Sequence, residues 1–310
     1  MSNDTRRDSV VRNLEDQRGS ATKAQVRDYW DTHPLGAELV PYEVGTPEYI
    51  DALYARWCET IDEHRLVFLE SCRGKKVLEI GCGSGMDSRF LIEHGIDYRG
   101  LDRSFRSLQL SRQMVEAAGL RGCFVNGDAT ALPFPDEEFD LVFSIGVLHH
   151  VPDMEKACRE VVRVAKPGAT VRVMLYNRHS YHYALVSYVV RPLIWLMIHV
   201  PGLAALASRA PKKFREMYRI AKQHGFDRQR ILSSSTDTSH PGEKDFNPLS
   251  RFVTESEVRA LFDTLEGFKF FRLVLSYFPV PFLRRIVEER FGFFLTFTAT
   301  KRRLDRIGVP

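Results

Sequence analysis

A glycine-rich turn at residues 79–85 is the segment of this chain best suited to hold a ligand. It reads Glu-Ile-Gly-Cys-Gly-Ser-Gly and follows an apolar run at 76–80, where a strand would pass the chain to a helix. Glycines there permit positive φ and let a ligand approach the backbone closely. A dinucleotide-binding turn would need a third glycine where Met86 stands, and a phosphate-binding loop would end in Gly-Lys-Ser/Thr. The turn therefore predicts a ligand held without a phosphate-binding lysine.

Two carboxylates follow at the ends of the next two predicted strands. Asp102 comes 17 residues after Gly85, and its two oxygens suit the two hydroxyls of a ribose. Asp128 stands in Asn-Gly-Asp-Ala after the third strand, where it could accept a hydrogen bond from the amine of adenine. Each feature alone is also typical of a tight turn or a solvated loop. Together, in this order, they predict a nucleoside-binding crevice.

Candidate catalytic groups follow the fourth and fifth strands. His149 and His150 come after the fourth strand, and either could act as a general base. The alternative is that the pair only caps the loop that enters Val151-Pro152. Tyr176 ends the fifth strand and is a third candidate, with Asn177 and His179 beside it to orient a substrate; ordinary strand-end polar residues would look the same.

Other candidate substrate contacts lie outside the strand ends. Tyr29, Trp30 and His33 precede the first strand and could close over a ligand as a lid, or simply pack as an amphipathic helix. The polar loop that leads into residue 251 offers four further candidates: Asp237, His240, Asn247 and Arg251.

The elements that position these residues alternate between strand and helix. Short apolar strands are predicted at 76–80, 98–102, 123–125, 140–144 and 170–175, with helical segments between them. This alternation predicts an α/β fold with a doubly wound, mostly parallel sheet. A capping-box sequence opens a helix at 254–265, and two apolar strands at 268–277 and 293–300 end the pattern.

With these segments the chain resembles the class I S-adenosylmethionine-dependent methyltransferases, in the branch of quinone-type and small-molecule enzymes. The resemblance covers about residues 74–180, a third of the chain, and Ala169 departs from it where the family often has glycine. The matching segments are VLEIGCGSG (77–85), GLD (100–102), NGDATALPFPDEEFDLVFS (126–144), GVLHHVPD (146–153) and RVAKPG (163–168). The resemblance implies seven strands, the last antiparallel, and S-adenosyl-L-methionine as cofactor.

The resemblance also implies roles for single residues. The turn glycines would pass the methionine part of the cofactor, Asp102 would hold the ribose, and Asp128 with Ala129 would meet the adenine. Ser144 would lie where the methyl group meets the substrate. The full set of expected cofactor-binding residues is Glu79, Gly81, Cys82, Gly83, Gly85, Asp102, Arg103, Asp128, Ala129 and Ser144.

The expected organisation has five parts. They are a flexible tail (1–22), a helical lid (23–73), the cofactor-binding core (74–180), a helical cap with a loop (181–249), and the remaining helix and strands of the core (250–303).

Charge singles out the predicted cap. The chain has 44 Lys+Arg and 40 Asp+Glu, a net charge of +4. Residues 191–230 hold nine Lys/Arg and two acids, so this segment is +7 and the rest about −3. It includes an apolar run, 192–208, without charged side chains, and all of its Lys/Arg except Arg191 follow that run. A cap over the active site, contact with a membrane surface and a membrane-spanning helix are all open. A nucleic-acid partner is disfavoured.

The remaining composition is that of an ordinary globular protein, 44% hydrophobic and 27% charged. The first 20 residues hold no apolar run of the kind a secretory signal needs, and the five cysteines have no zinc spacing. We therefore expect reduced thiols, a cytoplasmic enzyme and no metal.

The expected reaction is methyl transfer to a small, apolar acceptor in biosynthesis, with oxygen favoured over S, N or C as the accepting atom. The alternatives are a quinone- or lipid-type methyltransferase at the membrane surface and a non-catalytic cofactor-binding sensor or scaffold.

Overall fold

A single sheet organises the protein in the computed structural model, which describes residues 3–18, 21–236, 247–273 and 284–303. Its strands in spatial order are β3-β2-β1-β4-β5-β8-β7, and a two-residue β6 pairs with the end of β5. The strands are β1 (Lys76–Ile80), β2 (Asp97–Asp102), β3 (Cys123–Asn126), β4 (Phe139–Ile145), β5 (Ala165–Asn177), β6 (Phe252–Val253), β7 (Leu265–Leu273) and β8 (Phe294–Lys301).

The direction of the strands confirms the predicted fold class. Strands β1 to β5 pair in parallel, whereas β8 runs antiparallel to both of its neighbours, β5 and β7. The short β6 was not predicted, because two residues are too few to show a periodic pattern. β5 is longer than predicted: it begins at Ala165, opposite Phe139, before the Lys-Pro-Gly that we expected to precede the strand.

Helices cover both faces of the sheet. They are α1 (Asn3–Arg18), α2 (Lys23–Thr32), α3 (Pro47–Thr60), α4 (Glu63–Glu70), α5 (Met86–Glu93), α6 (Phe105–Glu116), α7 (Met154–Val164), α8 (Tyr181–Leu185), α9 (Arg191–His199), α10 (Ala204–Ala207), α11 (Lys212–His224), α12 (Arg228–Thr236), α13 (Glu255–Leu261) and α14 (Arg284–Phe291). A π-helical turn, Val186–Val190, joins α8 to α9. The capping box that was predicted at Thr254 begins α13, with Glu257 as its partner.

Alternation along the central strands divides the core into two layers. On β1, Leu78 and Ile80 pack with α7 and α13, whereas Val77 packs on the opposite face with α4, α5 and α6. On β4, Val142 joins the first layer and Phe143 the second. The sheet is therefore buried on both faces, as the continuous apolar strands require.

The N-terminal segment is a correction to the sequence analysis. We expected residues 1–22 to form a flexible tail, but residues 3–18 form α1, and α2 begins soon after, at Lys23. Val10 and Leu14 are buried in the main core, and Asn13 donates a hydrogen bond to Glu257 at 2.5 Å. This polar helix gives little periodic signal, because only two apolar side chains and a few specific hydrogen bonds hold it in place.

The segment between β5 and β6 forms a helical insert. Helices α8 to α12 surround a cluster that includes Val186, Ile194 and Met217, and this cluster extends to Tyr176 and Phe252 of the sheet. The insert is thus packed on the end of β5, next to the candidate catalytic residues.

Candidate functional site

A cavity of about 510 Å³ opens at the carboxyl ends of β1, β2 and β4. This is the edge at which parallel α/β sheets bind ligands, and the volume lies within the range of small-molecule sites. Its walls include Gly81, Asp102, Asp128 and His150, so the structure brings the predicted glycine turn, both carboxylates and one histidine together.

Two glycines of the turn have conformations that other residues rarely adopt. Gly81 has φ of +82°, and a Cβ there would lie 2.2 Å from Cγ2 of Val147. Gly85 has φ of +81°, and its Cβ would lie 2.6 Å from the backbone of Ser111. Gly83 lines the cavity, and its N–H donates to Asp102 at 2.9 Å. The glycines therefore let the turn pass tightly between β4 and α6 while it faces the cavity.

Asp102 is held in place by the backbone on both of its oxygens. Oδ2 accepts from the N–H of Gly83 and Oδ1 from the N–H of Ser104, each at 2.9 Å. Burial raises the pKa of Asp102, and these two hydrogen bonds oppose the effect. Each carboxylate oxygen can accept about two hydrogen bonds, so each retains one acceptor position. That arrangement suits a pair of adjacent hydroxyls.

Asp128 accepts more hydrogen bonds within the protein than Asp102 does. Oδ2 accepts from Lys23 at 2.7 Å and from Arg103 at 2.5 Å, while Oδ1 accepts from both the N–H and the hydroxyl of Thr130. Burial opposes ionisation, but the hydrogen bonds from Lys23 and Thr130 and the charge of Arg103 outweigh it and hold the pKa of Asp128 below its usual range. Ala129 and Arg103 also line the cavity.

Four of the expected cofactor-binding residues do not line the cavity: Glu79, Cys82, Gly85 and Ser144. Glu79 lies on the opposite face of β1 from Ile80, where its carboxyl accepts from the hydroxyl of Tyr98 at 2.6 Å. Burial, with the nearby charge of Asp87, raises the pKa of Glu79 to about 8. Ser144 is fully buried and donates to the carbonyl of Ile80 at 2.9 Å. The alternation of strand residues places both side chains in the protein interior.

Cys82 faces the interior as well. Its buried thiol accepts a hydrogen bond from the hydroxyl of Ser111 at 3.5 Å, and burial raises the pKa of Cys82 well above its ordinary value. Like Glu79, this thiol lies in the protein interior and not in the cavity wall.

His150 is the histidine that lines the cavity. It belongs to a short 3-10 turn, Leu148–His150, and its Nδ1 lies 2.6 Å from the carbonyl oxygen of Leu249. Two groups lie near Nδ1: the carbonyl of Leu249 accepts a hydrogen bond, whereas the Nδ2 amide of Asn247, at 3.0 Å, donates one. The shorter contact, to the carbonyl, favours the proton on Nδ1 and leaves Nε2 as the basic nitrogen of the neutral ring. This is the tautomer that a general base at Nε2 requires.

His149 points away from the cavity. It is fully buried, its ring centroid lies 3.9 Å from that of Tyr176, and neither ring nitrogen has a hydrogen-bond partner among the described residues. Burial, reinforced by His150 and Arg251, holds the pKa of His149 well below its ordinary value. The structure thus places His149 in the core, outside the cavity wall, where its lowered pKa makes it a weak base.

The three candidate residues at the end of β5 lie in different surroundings. Tyr176 lines the cavity, and its ring packs against Phe293, with centroids 4.6 Å apart. Asn177 is buried and donates to the carbonyl of Gly292 at 2.9 Å, so it joins β5 to the segment before β8. His179 is exposed and lies at a second cavity near the insert. Our expectation that Asn177 and His179 point toward the first cavity is not met, because the chain turns away after Tyr176.

One of the three expected lid residues reaches the cavity. Trp30 of α2 lines it, 5.5 Å from the ring of His150. Tyr29 and His33 are buried and stack on each other, with centroids 4.5 Å apart. The helix is therefore both a wall of the cavity and a packed amphipathic element.

Arg251 and Asn247 support the histidine loop. The guanidinium of Arg251 donates to the carbonyls of Leu14, Val151 and Pro152, and its backbone N–H donates to that of His149. Asn247 is buried, with its Nδ2 3.0 Å from Nδ1 of His150. Asp237 and His240 lie outside the described residues.

Several charged residues of the cavity wall were missed by the sequence analysis: Lys23, Arg27, Asp62 and Arg65. They come from α2 and from the start of α4, both in the predicted lid. Arg65 donates to the buried Asp87 at 2.6 Å. Helical spacing predicted these helices but does not tell which face meets a cavity.

The cavity wall fits S-adenosylmethionine. Asp102 has acceptor positions that ribose hydroxyls could use, the backbone of Gly81 and Gly83 lines the cavity, and Ala129 lies beside Asp128, where the resemblance implies adenine. Within the described residues, no group of three or more His, Cys, Asp or Glu side chains is placed to hold a metal ion.

Comparisons with known proteins agree with this geometry. Residues 78–173 match the family described as a methyltransferase domain. The chain is similar to norajmaline N-methyltransferase of Rauvolfia serpentina, with 36% identity over 147 residues, which cover 45% of this chain and 50% of that protein. It is also 38% identical over 107 residues to the phthiotriol/phenolphthiotriol dimycocerosates methyltransferase of Mycobacterium tuberculosis, covering 34% of this chain and 39% of that protein.

Among solved structures, a SAM-dependent methyltransferase from Methanosarcina mazei has the same fold. Its TM-score is 0.50 at 19% identity, and the match covers 79% of this chain and 100% of that one. Residues 78–173 are therefore similar in sequence to methyltransferase domains, and the chain has the fold of a SAM-dependent methyltransferase. The chain spans half the length, or less, of the curated relatives named above.

Proposed function

We propose that the protein transfers a methyl group from S-adenosylmethionine to a small, apolar acceptor and releases S-adenosylhomocysteine. The observation that carries this proposal is Asp102, which faces the cavity with both oxygens oriented by the turn and by Ser104. The family match of the surrounding domain supports the same reaction.

The chain's own contribution to the reaction is alignment, exclusion of water and acceptance of a proton. The cofactor supplies a methyl group that its sulfonium already activates. The acceptor atom forms a bond to the methyl carbon, the carbon–sulfur bond breaks, and its electron pair stays on sulfur. When the acceptor is a hydroxyl, its proton passes to Nε2 of His150.

The far wall of the cavity favours an apolar acceptor. Met174, Tyr176, Leu273 and Phe294 line it, near His150. Apolar and aromatic walls with a few polar groups are typical of small-molecule sites, in which the polar groups fix the orientation of the ligand. We favour oxygen as that atom, since His150 is placed to receive its proton.

A second candidate is an acceptor of the quinone or lipid type, drawn from a membrane. The exposed apolar helix Tyr181–His199 favours it, because the insert joins the aromatic cluster around Tyr176. By their names, one relative methylates norajmaline on nitrogen and the other methylates phthiotriol/phenolphthiotriol dimycocerosates. We place the enzyme in the cytoplasm, since its five cysteines are free thiols.

The proposal is tested by screening hydroxylated apolar compounds for release of S-adenosylhomocysteine. With an active acceptor, His150→Asn is expected to lower kcat about 10²- to 10⁴-fold while the affinity for S-adenosylmethionine stays the same. His94→Asn is the matched control, because His94 is exposed on the far side of α5 from the cavity wall residues. An unchanged kcat in His150→Asn would show that His150 is not the general base.

A cofactor-binding sensor or scaffold remains the non-catalytic alternative. It predicts that the protein binds S-adenosylmethionine but turns over with none of the compounds, including membrane extracts. Turnover with any acceptor, lost in His150→Asn, decides against it.

A further inference from the structure

The helix that opens the insert is predominantly apolar, with Arg191 as its one Lys, Arg, Asp or Glu residue. α8, the π-helical turn and α9 form one helix over Tyr181–His199, long and apolar enough to cross a membrane by length and composition. Its inner face places Val186 and Ile194 in the cluster of the insert, where both are buried. A helix this rich in apolar residues is normally buried over most of its surface, yet here one face is open.

The open face forms an apolar stripe, defined as Tyr188, Val189, Leu193, Trp195, Leu196, Val200 and Leu206. These are seven of the thirteen strongly exposed large apolar side chains in the described part of the chain, and Tyr188 is 71% exposed. Residues 188 and 195, like 189, 193, 196 and 200, recur at helical spacing, so these six members of the stripe lie on one side of the helix, and Leu206 of α10 follows them. An apolar patch of this kind marks an interaction surface.

Basic side chains adjoin one end of the stripe. The N–H of Arg209 donates to the carbonyl of Leu206 at 3.1 Å, and Arg215 reaches the carbonyl of Ser208. Arg209, Lys212 and Arg215 are exposed. The first carboxylate after Tyr181 is Glu216, so the sequence of the stripe and its basic end holds no acid.

We propose that the apolar stripe and its basic end are a docking surface for an anionic lipid bilayer. Apolar side chains would enter the boundary between headgroups and acyl chains, and the basic residues would bind the headgroups. The inner face of the helix is packed on Met217 and Ile231, which favours a helix lying in the interface over one that spans. A second copy of the chain fits less well, because it would bring two segments of charge +7 together. The surface is independent of the proposed methyl transfer.

Vesicle co-sedimentation tests the proposal. The protein is expected to bind vesicles of phosphatidylcholine mixed with phosphatidylglycerol, and to bind phosphatidylcholine alone at least about tenfold more weakly. Leu193→Ser/Leu196→Ser and Lys212→Glu/Arg215→Glu should each lower binding to the mixed vesicles at least about tenfold. Val67→Ser is the control, since Val67 is 58% exposed on α4, outside the insert. Binding of S-adenosylmethionine reports separately whether each variant is folded.

Trp195 provides a direct optical readout, because it is one of the stripe residues and is 48% exposed. Its emission should shift to the blue on mixed vesicles and not on phosphatidylcholine alone. Trp195→Phe should lose the shift and keep binding. The proposal is overturned if mixed vesicles are not bound, if the stripe variant binds them as well as the wild type, or if the stripe instead drives self-association in sedimentation without lipid.

Discussion

Asp102 and His150 are both oriented by hydrogen bonds with the backbone. Two N–H groups fix the carboxylate of Asp102, and the carbonyl of Leu249 holds the ring of His150 at Nδ1. Both groups are thus oriented before any ligand arrives, which lowers the cost of ordering them on binding. At the scale of residues, the candidate site is preorganised by its own loops.

His149 makes a pH prediction at this scale. Because burial depresses its pKa well below the ordinary 6.5, the unfolded chain takes up a proton that the folded chain does not, and stability falls as the pH drops below 6.5. His149→Leu removes this contribution. Between pH 7 and pH 5.5 the wild type should lose about 1 kcal/mol more unfolding free energy than the variant.

Urea unfolding of both proteins at the two pH values measures the difference. His182, whose pKa burial lowers to about 4, contributes equally to both and cancels. Equal losses in wild type and variant would mean that His149 is protonated in the folded protein as readily as in the unfolded chain.

The sequence predicted those residues of the candidate site that belong to a recognisable motif. Two of the three turn glycines, Gly81 and Gly83, line the cavity together with Asp102, Asp128 and His150. It could not separate His149 from His150, because adjacent residues differ only in which way the loop turns them. Nor could it show that Arg251 donates hydrogen bonds to backbone carbonyls, since those carbonyls belong to residues 14, 151 and 152, which are distant in sequence.

At the scale of elements, α2 is attached to the core by an ion pair at the adenine end of the cavity. Lys23 at the start of α2 donates to both Asp128 and Thr130. Since all four acceptor positions of Asp128 are filled, an adenine amine can bond to it only if one donor leaves. Lys23, with a side chain 39% exposed, is the donor that solvent most readily replaces.

Lys23→Ala therefore should bind S-adenosylmethionine more tightly than the wild type. A partly exposed ion pair contributes little, so we expect a gain of about two- to fivefold. Isothermal titration calorimetry measures it, with Lys76→Ala as control, because Lys76 pairs with Glu138 outside the cavity wall. Weaker binding by Lys23→Ala would instead make Lys23 a ligand of the cofactor.

Helix α1 predicts a stability effect that the expected tail would not show. Leu14 is 4% exposed in the main core, so Leu14→Ala should lower the free energy of unfolding by about 2–4 kcal/mol. Glu15→Ala on the exposed side of the same helix should change it by less than about 0.5 kcal/mol. Equal, small effects in urea unfolding would show that α1 does not pack on the core in solution.

At the scale of the whole molecule, a doubly wound sheet carries a region of different character. The strand–helix alternation predicted the sheet because each strand has a strong apolar signal and each helix is long. For the insert, the sequence predicted the charge and the apolar run but not the fold. Its packing on Tyr176 depends on contacts between residues far apart in sequence. In our proposals, methyl transfer takes place in the slightly acidic remainder of the chain, and binding to lipid takes place on the basic insert.

The most direct test of the account is the titration of the purified protein with S-adenosylmethionine in a calorimeter. We predict saturable binding at one site per chain, weakened about 100-fold or more by Asp102→Ala, which removes charge-assisted hydrogen bonds to the ribose. Asp97→Ala, at the exposed start of the same strand, should bind as the wild type does. Absence of binding by the wild type, or equal affinity in Asp102→Ala, would contradict the assignment of this cavity as the cofactor site.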